Sequence, residues 1–286
     1  MNASSLTLAP FRGLSRLVPR SAKLRIGGGL LVAIVLVAIC APLLTWHDPG
    51  EISPATRLRP PSTEFLLGTD MMGRDLWARL VYGGRVSLLV GLSVAVIATL
   101  IGGALGLAAG FIRALDPILM RITDGLMAIP SLLLAISLAA VSGGGLGTVI
   151  ASISLAEMPR MVRVVRSVTL SLRETAFIDA AWLAGNSDRA IMFRHVLPNT
   201  LAPLSVQATF ICASAMVTES ILTFIGAGTP PSIPSWGNIM SDARALWQLK
   251  PLAIFAPAAA LTLTILAVNM IGDGLRDHFD PKHQDR

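Results

Sequence analysis

Glu219 and Asp124 are acidic side chains that lie inside long apolar runs of this sequence, where an ionisable group is costly. Glu219 falls within the run Leu201–Ile225, and Asp124 falls near the start of the run Ile118–Val141. An acid in such a place is a candidate for handling a solute, or it pairs with a cation. Glu219 lies near the end of its run, so it either lines a polar path or pairs with an arginine, and we favour the structural role. Asp124 is expected to make an interfacial packing or salt-bridge contact rather than to bind a substrate.

The other residue types that commonly carry chemistry are scattered. Cys40 and Cys212 both fall inside apolar runs, where we expect them to pack as small side chains rather than to form a disulfide or a metal pair. The four histidines show no metal-ligand spacing, and they are His47, His195, His278 and His283. The sequence has no Gly-Lys-Ser or Gly-Lys-Thr phosphate loop and no His-Glu-x-x-His. We therefore predict no metal site and no enzymatic activity for this chain.

The composition indicates a membrane protein. Of 286 residues, 53% are hydrophobic and 14% are charged, and the mean hydropathy is +0.68. A soluble domain carries about 25% charged residues. The net charge of +6 does not indicate a nucleic-acid partner, because the basic residues lie in short segments between apolar runs. The sequence thus predicts an all-α protein that crosses the bilayer several times.

Six apolar runs are long enough to cross a hydrocarbon layer of about 30 Å as helices. They are residues 26–46, Val86–Phe111, Ile118–Val141, Gly145–Arg163, Leu201–Ile225 and Leu252–Ile271. The fourth run is the weakest, with an apolar core over Leu146–Ala156 and Pro159 near its end. The first run follows a basic segment, as in a secretory signal, but it is too long for a signal core. We predict an uncleaved first transmembrane helix.

The distribution of Lys and Arg predicts the orientation. With a cytoplasmic N-terminus, 16 of the 23 basic residues fall in inside segments, as the positive-inside bias requires. The basic segment 1–25 and the tail 272–286 are then both cytoplasmic. Residues 47–85 form a periplasmic segment, which fits the bias least well because five arginines lie in it. Residues 86–271 form a membrane core with a long cytoplasmic segment at 168–198.

Three glycines in the second apolar run recur at intervals of four residues: Gly102, Gly106 and Gly110. In a membrane helix this spacing places small residues on one stripe, where a neighbouring helix approaches closely. The alternative is that glycine is simply common in membrane helices. We favour a packing seam, with a partner helix that the sequence does not identify.

The cytoplasmic segment 168–198 contains a predicted pair of short helices. Residues 174–184 are mostly good helix formers, and Gly185 with Asn186 is a typical helix stop. The small pair Ala180-Ala181 leaves one side of this helix thin enough to enter a groove on another protein.

A second short helix is predicted to begin at Asn186-Ser187-Asp188 and to end at Pro198, before the fifth apolar run. The two helices then form a bend, here named the elbow (residues 174–198), at the membrane surface. The alternative is an amphipathic loop that lies on lipid headgroups. The physical pattern alone does not separate these two interpretations.

The residues of the elbow resemble a known signature. Asp179-Ala180-Ala181, three further residues, Gly185 and the downstream Leu197-Pro198 are similar to the EAA signature of importer permeases in the ATP-binding-cassette (ABC) superfamily. Asp179 replaces the usual Glu, and His195 stands in place of Ile. In that family the elbow forms the coupling helix that docks on the ATPase. The positions that correspond here are Glu174, Asp179, Ala180, Ala181, Gly185, Leu197 and Pro198.

Two further segments resemble the second permease of dipeptide, oligopeptide and nickel importers. One runs from Leu67-Gly68-Thr69-Asp70 through Gly73-Arg74-Asp75 to Ser87-Leu88, and the other runs from Glu219-Ser220-Ile221 to Trp236-Gly237-Asn238. The resemblance covers about residues 26–280. It implies the type I ABC importer transmembrane-domain fold with six transmembrane helices, in a bacterial inner membrane.

The resemblance also implies partners and cargo. We expect a homologous second permease subunit in a heterodimer, two cytoplasmic ATPase subunits that bind ATP and Mg, and a periplasmic binding protein. No cofactor is expected on this chain itself. The implied cargo is a small peptide, with nickel or a nickel chelate as the alternative. An ion-coupled secondary transporter is disfavoured, because neither midplane ionisable groups nor an inverted repeat is plain in the sequence.

Overall fold

In this computed structural model, which describes residues 22–279, the chain is built from helices. They are α1 (Ala22–Ile39), α2 (Ala41–Leu44), α3 (Leu76–Ile97), α4 (Gly103–Phe111), α5 (Asp116–Met127), α6 (Ser131–Val141), α7 (Leu146–Arg173), α8 (Ala176–Leu183), α9 (Asp188–Ile191), α10 (Leu197–Phe224), α11 (Trp236–Ala243) and α12 (Leu252–Phe279). Within residues 22–279 there is no β-strand, so the predicted all-α class is confirmed. Most of segment 1–25 and the end of the tail 272–286 lie outside the described residues.

Within residues 22–279, four helices are long and apolar enough to cross a membrane. They are α1, the continuous helix Leu76–Phe111, the continuous helix Asp188–Phe224, and α12. α5 and α6 pass the same test only as a pair, which is bent by 86° beside Pro130 and forms either a broken span or a re-entrant loop. α7 is 28 residues long, but it carries several charged side chains. The multi-pass helical architecture is confirmed, and the count of six spans and the cytoplasmic termini stay predictions.

The second membrane helix begins at Leu76, ten residues before the predicted start at Val86, so the predicted segment 47–85 ends within this helix. Asp75 caps the helix, because its carboxylate accepts hydrogen bonds from the backbone N–H groups of Trp77 (3.0 Å) and Ala78 (3.3 Å). Burial raises the pKa of the Asp75 carboxyl, although these two donors oppose the shift. The charges in the first turns of the helix hid this start from the hydropathy pattern.

Two arginines of the outer segment lie in a cluster of four charges. Arg74 Nε and Arg79 Nη1 lie 2.6 and 2.8 Å from Asp70 Oδ2. The same two guanidinium groups lie 2.7 and 3.0 Å from Asp242 Oδ2. Charges are tolerated away from water only when they are closely paired, and here two cations meet two anions. The cluster ties the outer loop and the start of α3 to α11.

A third arginine of the same segment, Arg85, caps the C-terminal end of α1. Arg85 Nε donates to the carbonyl oxygen of Ala38 (2.6 Å), and Arg85 Nη2 donates to that of Ile39 (2.7 Å). The last carbonyl groups of a helix lack partners within the helix and carry partial negative charge, so a guanidinium satisfies both needs. These contacts account for arginines in the segment that fits the positive-inside bias least well.

The three glycines of the stripe all face α7, which identifies their partner helix. A β-carbon added at Gly106 would lie 2.6 Å from the carbonyl oxygen of Val162, and one added at Gly110 would lie 2.6 Å from the β-carbon of Thr169. At Gly102 the nearest atom, also on α7, would be 3.0 Å away. Real β-carbons essentially never approach as closely as those added at Gly106 and Gly110 would, so the helices meet at these two positions only because the residues are glycine.

Candidate functional site

The inner face of the elbow is part of the hydrophobic core. Ile178 and Ala181 of α8 are buried in the same cluster as Val165 of α7 and Leu204 of α10. Trp182 packs against this cluster from its edge. Interiors are densely packed and transmit displacement, so a movement of α8 would be passed to both long helices.

The outer face of α8 is uncovered. Leu183 has 90% of its surface exposed and Phe177 has 45%, and Asp179 and Ala180 are exposed beside them. Glu174 is also exposed, at the junction of α7 and α8. Large apolar side chains presented together with a carboxylate on a short helix are typical of a surface that binds another protein. Three of the predicted coupling residues, Glu174, Asp179 and Ala180, are therefore exposed, whereas Ala181 faces inward.

The turn after α8 has the predicted helix stop. Gly185 adopts a φ of +80°, a conformation that side chains rarely tolerate. The N–H of Asn186 then donates to the carbonyl oxygen of Ala181 (3.2 Å), and the Asn186 side-chain amide donates to the same oxygen (3.0 Å). A β-carbon at Gly185 would have no heavy atom within 4 Å, so the turn points into open space.

The second arm of the elbow begins as predicted and is braced against the first. Ser187 is the N-cap of α9, and its hydroxyl oxygen accepts a hydrogen bond from the N–H of Ala190 (3.4 Å). Trp182 Nε1 of the first arm donates to Asp188 Oδ1 of the second (3.0 Å). This contact joins the two arms on either side of the glycine turn.

The prediction that Pro198 ends the second arm is wrong. α9 continues through a π-helical turn at Met192–Val196 into α10, so residues 188–224 form one helix. Pro198 lies in the first turn of α10, where the wider π-turn accommodates a residue that lacks an N–H. Leu197 beside it packs against the main cluster. The elbow is therefore continuous with a membrane helix.

Glu219 is fully buried and pairs with hydroxyl groups rather than with an arginine. Its carboxylate accepts hydrogen bonds from Thr223 Oγ1 (3.0 Å), Ser87 Oγ (3.4 Å) and Ser220 Oγ (3.4 Å). Within residues 22–279 it has no cationic partner, so the expected arginine pairing is wrong. A satisfied polar group inside a core fixes how the elements around it pack, here α3 against α10. The geometry favours the structural role over a position on a path.

A second buried acid, Glu157, was missed in the sequence. It accepts hydrogen bonds from Arg160 Nη1 on its own helix (2.9 Å) and from Ser214 Oγ of α10 (3.0 Å). Glu157 directly follows the apolar core Leu146–Ala156 within the run Gly145–Arg163, whose end was predicted soon after Pro159. Pro159 instead lies inside α7, which continues to Arg173. A carboxyl that follows an apolar core by one residue was the available signal.

Asp124 forms an ion pair with Arg163 of α7, at 2.6 Å between Oδ1 and Nη2. The two side chains are 60% and 47% exposed, so the pair contributes little to stability. The contact joins α5 to α7 and is the salt-bridge arrangement that the sequence favoured.

The bundle of long apolar helices, with an exposed two-armed elbow between two of them, defines a multi-pass helical membrane protein. The chain belongs to the family described as "Binding-protein-dependent transport system inner membrane component", whose profile matches residues 77–284. This family is the permease component of ABC transporters, as the resemblance of the elbow implied.

Several curated relatives cover nearly the whole chain. It is 46% identical over 271 residues to the probable peptide ABC transporter permease protein y4tQ of Sinorhizobium fredii, covering 95% of this chain and 93% of that protein. It is 40% identical to the dipeptide transport system permease protein DppC of Alkalihalophilus pseudofirmus, covering 96% and 91%. It is 36% identical to the oligopeptide transport system permease protein OppC of Bacillus subtilis, covering 92% and 87%.

The fold is also found among solved structures. The chain is similar to one chain of the inward-facing MetNI methionine ABC transporter, with a TM-score of 0.60 and 17% sequence identity. The match covers 72% of this chain and 98% of that one. At this identity the likeness shows the fold alone, and it agrees with the predicted fold of an ABC importer membrane domain.

Proposed function

We propose that this chain is one permease subunit of an ATP-driven importer that carries small peptides into a bacterial cell. The cargo is inferred from the relatives that match most of the chain, which are described as peptide, dipeptide and oligopeptide permeases. Nickel was the alternative, and the relatives reported above do not name it.

The observation that carries the coupling role is the contrast between the two faces of α8. Its outer face exposes Phe177 and Leu183, and its inner face buries Ile178 and Ala181 in the core. The outer face binds a cytoplasmic ATPase subunit in this proposal. Within residues 22–279, no other element covers the outer face of α8, and its side chains stay exposed.

Movement of the elbow would reach the membrane helices by two routes. The first arm follows α7 directly after Glu174, and the second arm runs without a break into α10. α7 in turn meets α4 along the glycine seam, where little space remains for independent motion. When ATP binding closes the ATPase subunits, the elbow is displaced, and α7 and α10 move with it to open the path.

The proposed assembly contains parts that this chain does not supply. A homologous permease subunit completes the path as a heterodimer, two ATPase subunits bind ATP and Mg, and a periplasmic binding protein delivers the peptide. The chain lies in the inner membrane with the elbow and both termini in the cytoplasm. The segment 47–75 and the ionic cluster at Asp70 then face the periplasm.

Uptake by whole cells tests the cargo. Labelled dipeptide and labelled nickel are offered to cells that lack this subunit and to the same cells carrying it on a plasmid. We expect the subunit to restore dipeptide uptake and to leave nickel uptake unchanged. Restoration of nickel uptake alone would move the chain to the metal branch, and dipeptide uptake that persists after ATP depletion would indicate ion coupling instead.

A further inference from the structure

A cavity of about 410 Å³ lies where the elbow meets the ends of two membrane helices, within the size range of small-ligand sites. Three elements each supply one arginine to its wall: Arg113 follows α4, Arg173 ends α7, and Arg189 belongs to α9. We propose that this cavity binds the phosphate headgroup of an anionic membrane phospholipid.

The wall has an excess of positive charge. Its three arginines face one acid, Asp188, which already accepts a hydrogen bond from Trp182 Nε1 at 3.0 Å. Among residues 22–279, neither Arg113 nor Arg189 has a carboxylate within 4.0 Å. Exposed guanidinium groups without counter-ions that converge on one cavity are suited to a phosphate, which they bind in bidentate fashion.

Arg173 is held in place for this role. Its Nη1 donates to the carbonyl oxygens of Gly110 (3.1 Å) and Phe111 (3.0 Å), and its guanidinium lies 5.5 Å from the centre of the Phe111 ring. The side chain is thus fixed by α4 and remains a donor through its other N–H groups.

The apolar part of the wall favours a lipid over a free anion. Phe111, Ile112 and Met192 line the same cavity, and Ile112 is exposed. A free phosphate would use only the arginines, whereas a phospholipid places its phosphate on them and the start of its acyl chains on the apolar residues. The cavity also lies directly after Phe111, where the apolar helix Leu76–Phe111 ends. By the orientation in the proposed function, on which this point rests, it faces the cytoplasmic leaflet.

A lipid in this cavity would connect the elbow to the neighbouring helices. Arg189 belongs to the second arm, whereas Arg113 lies two residues after α4 and Arg173 ends α7. One phosphate that contacts all three would hold the elbow against the core. Anionic lipid would then support the transmission of movement from the ATPase to the helices.

Lipid retention by the assembled importer tests the site. The complex is extracted from membranes containing equal amounts of phosphatidylcholine and phosphatidylglycerol, and the phosphatidylglycerol that remains bound is quantified by native mass spectrometry. The test variant is Arg113→Gln with Arg189→Gln, which leaves the helix-capping Arg173 in place. The control is Arg121→Gln with Arg194→Gln, an equal loss of charge at exposed residues outside the cavity.

We expect the test variant to retain less phosphatidylglycerol by about fivefold for each arginine removed, and the control to match the wild type. Arg113→Gln alone, at an exposed residue, provides a second variant if the double substitution assembles poorly. Equal retention by test and control would overturn the proposal. So would release of the lipid by excess inorganic phosphate, which indicates a free-anion site. If the test variant loses the ATPase subunits but retains its lipid, the arginines of the cavity would instead be assigned to binding the ATPase, and the proposal would be overturned.

This measurement is independent of cargo. A complex that retains phosphatidylglycerol through these arginines but imports no peptide would count against the proposed function alone.

Discussion

Gly185 combines an unusual backbone conformation with open surroundings, and these two features lead to separate predictions. Its φ of +80° strains any side chain, and the open space around it means that bulk does not clash within this chain. We expect Gly185→Trp to insert and fold but to transport poorly, because the added ring would block seating on the ATPase. The measurement is peptide uptake at matched protein levels.

The matched control is Gly185→Ala, which carries the same backbone strain, about 1 kcal/mol, without the bulk. We expect uptake by this variant to stay near that of the wild type. Wild-type uptake by Gly185→Trp would remove the elbow from the mechanism, and equal loss in both variants would assign the effect to the backbone.

Glu219 provides the second prediction at this scale. Glu219→Leu would leave the hydroxyl groups of Ser87 and Thr223 without their acceptor, at a cost of about 1–3 kcal/mol of stability. Glu219→Gln keeps an acceptor of similar shape and should unfold near the wild-type temperature and support uptake. Thermal unfolding of the purified subunit in detergent measures the first effect. Loss of uptake in Glu219→Gln at normal stability would place this residue on the path.

At the scale of elements, the seam between α4 and α7 has little tolerance for a side chain larger than that of glycine. Gly106→Ala places a β-carbon 2.6 Å from the carbonyl oxygen of Val162, and we expect a loss of about 1–3 kcal/mol from overpacking. Gly103→Ala in the same helix is the control, because its β-carbon would meet only Leu204, at 3.4 Å. Thermal unfolding of the two variants gives the comparison. Equal unfolding temperatures for Gly106→Ala and Gly103→Ala would show that the two helices separate easily along the glycine stripe.

The ionic cluster of the outer segment makes a parallel prediction. Asp242→Ala leaves Arg74 and Arg79 with one carboxylate between them, and removal of one partner from such a cluster costs about 3 kcal/mol. The control is Glu64→Ala, which removes an exposed pair with Arg59 and should cost less than about 1 kcal/mol. Limited proteolysis of the outer loop reports the difference, since the cluster ties that loop to α11. Similar cleavage of both variants would contradict this role.

The elements that periodicity and capping chemistry specify were predictable, and those set by distant contacts were not. The helix stop at Gly185 and the cap at Ser187 follow from local residue types, and the structure has both. The start of α3 was placed too late because Arg79 looks like a loop residue until Asp70 and Asp242 are known to pair with it. The end of the second arm was misplaced because proline stops an α-helix but is accommodated after a π-turn.

The candidate site also contains features that local residue types predict and features that only tertiary contacts reveal. Residues of the elbow were located from their pattern, whereas which of them face outward required the packing of Ile178 and Ala181. Glu157 lies inside the predicted fourth run, but its burial and its contact with Ser214 of α10 depend on how the helices pack. The partner of the glycine stripe could be known only from the packed helices.

At the scale of the whole molecule, the proposed coupling role requires movement at the elbow to reach the long helices. α8 exposes one face and buries the other in the core that it shares with α7 and α10. The second arm extends into a helix of 37 residues from Asp188 to Phe224. In the proposed function, docking at the elbow would therefore move these helices directly.

The most direct test of this account is ATP-dependent dipeptide uptake by proteoliposomes that contain the assembled importer with Leu183→Asp in this chain. Leu183 is 90% exposed on the outer face of α8, so a charge there should spare folding but abolish docking. Leu249→Asp is the control, at a residue 75% exposed between α11 and α12. We predict loss of ATPase binding and uptake in Leu183→Asp and retention of both in Leu249→Asp. Normal uptake by Leu183→Asp would contradict the coupling role of the elbow.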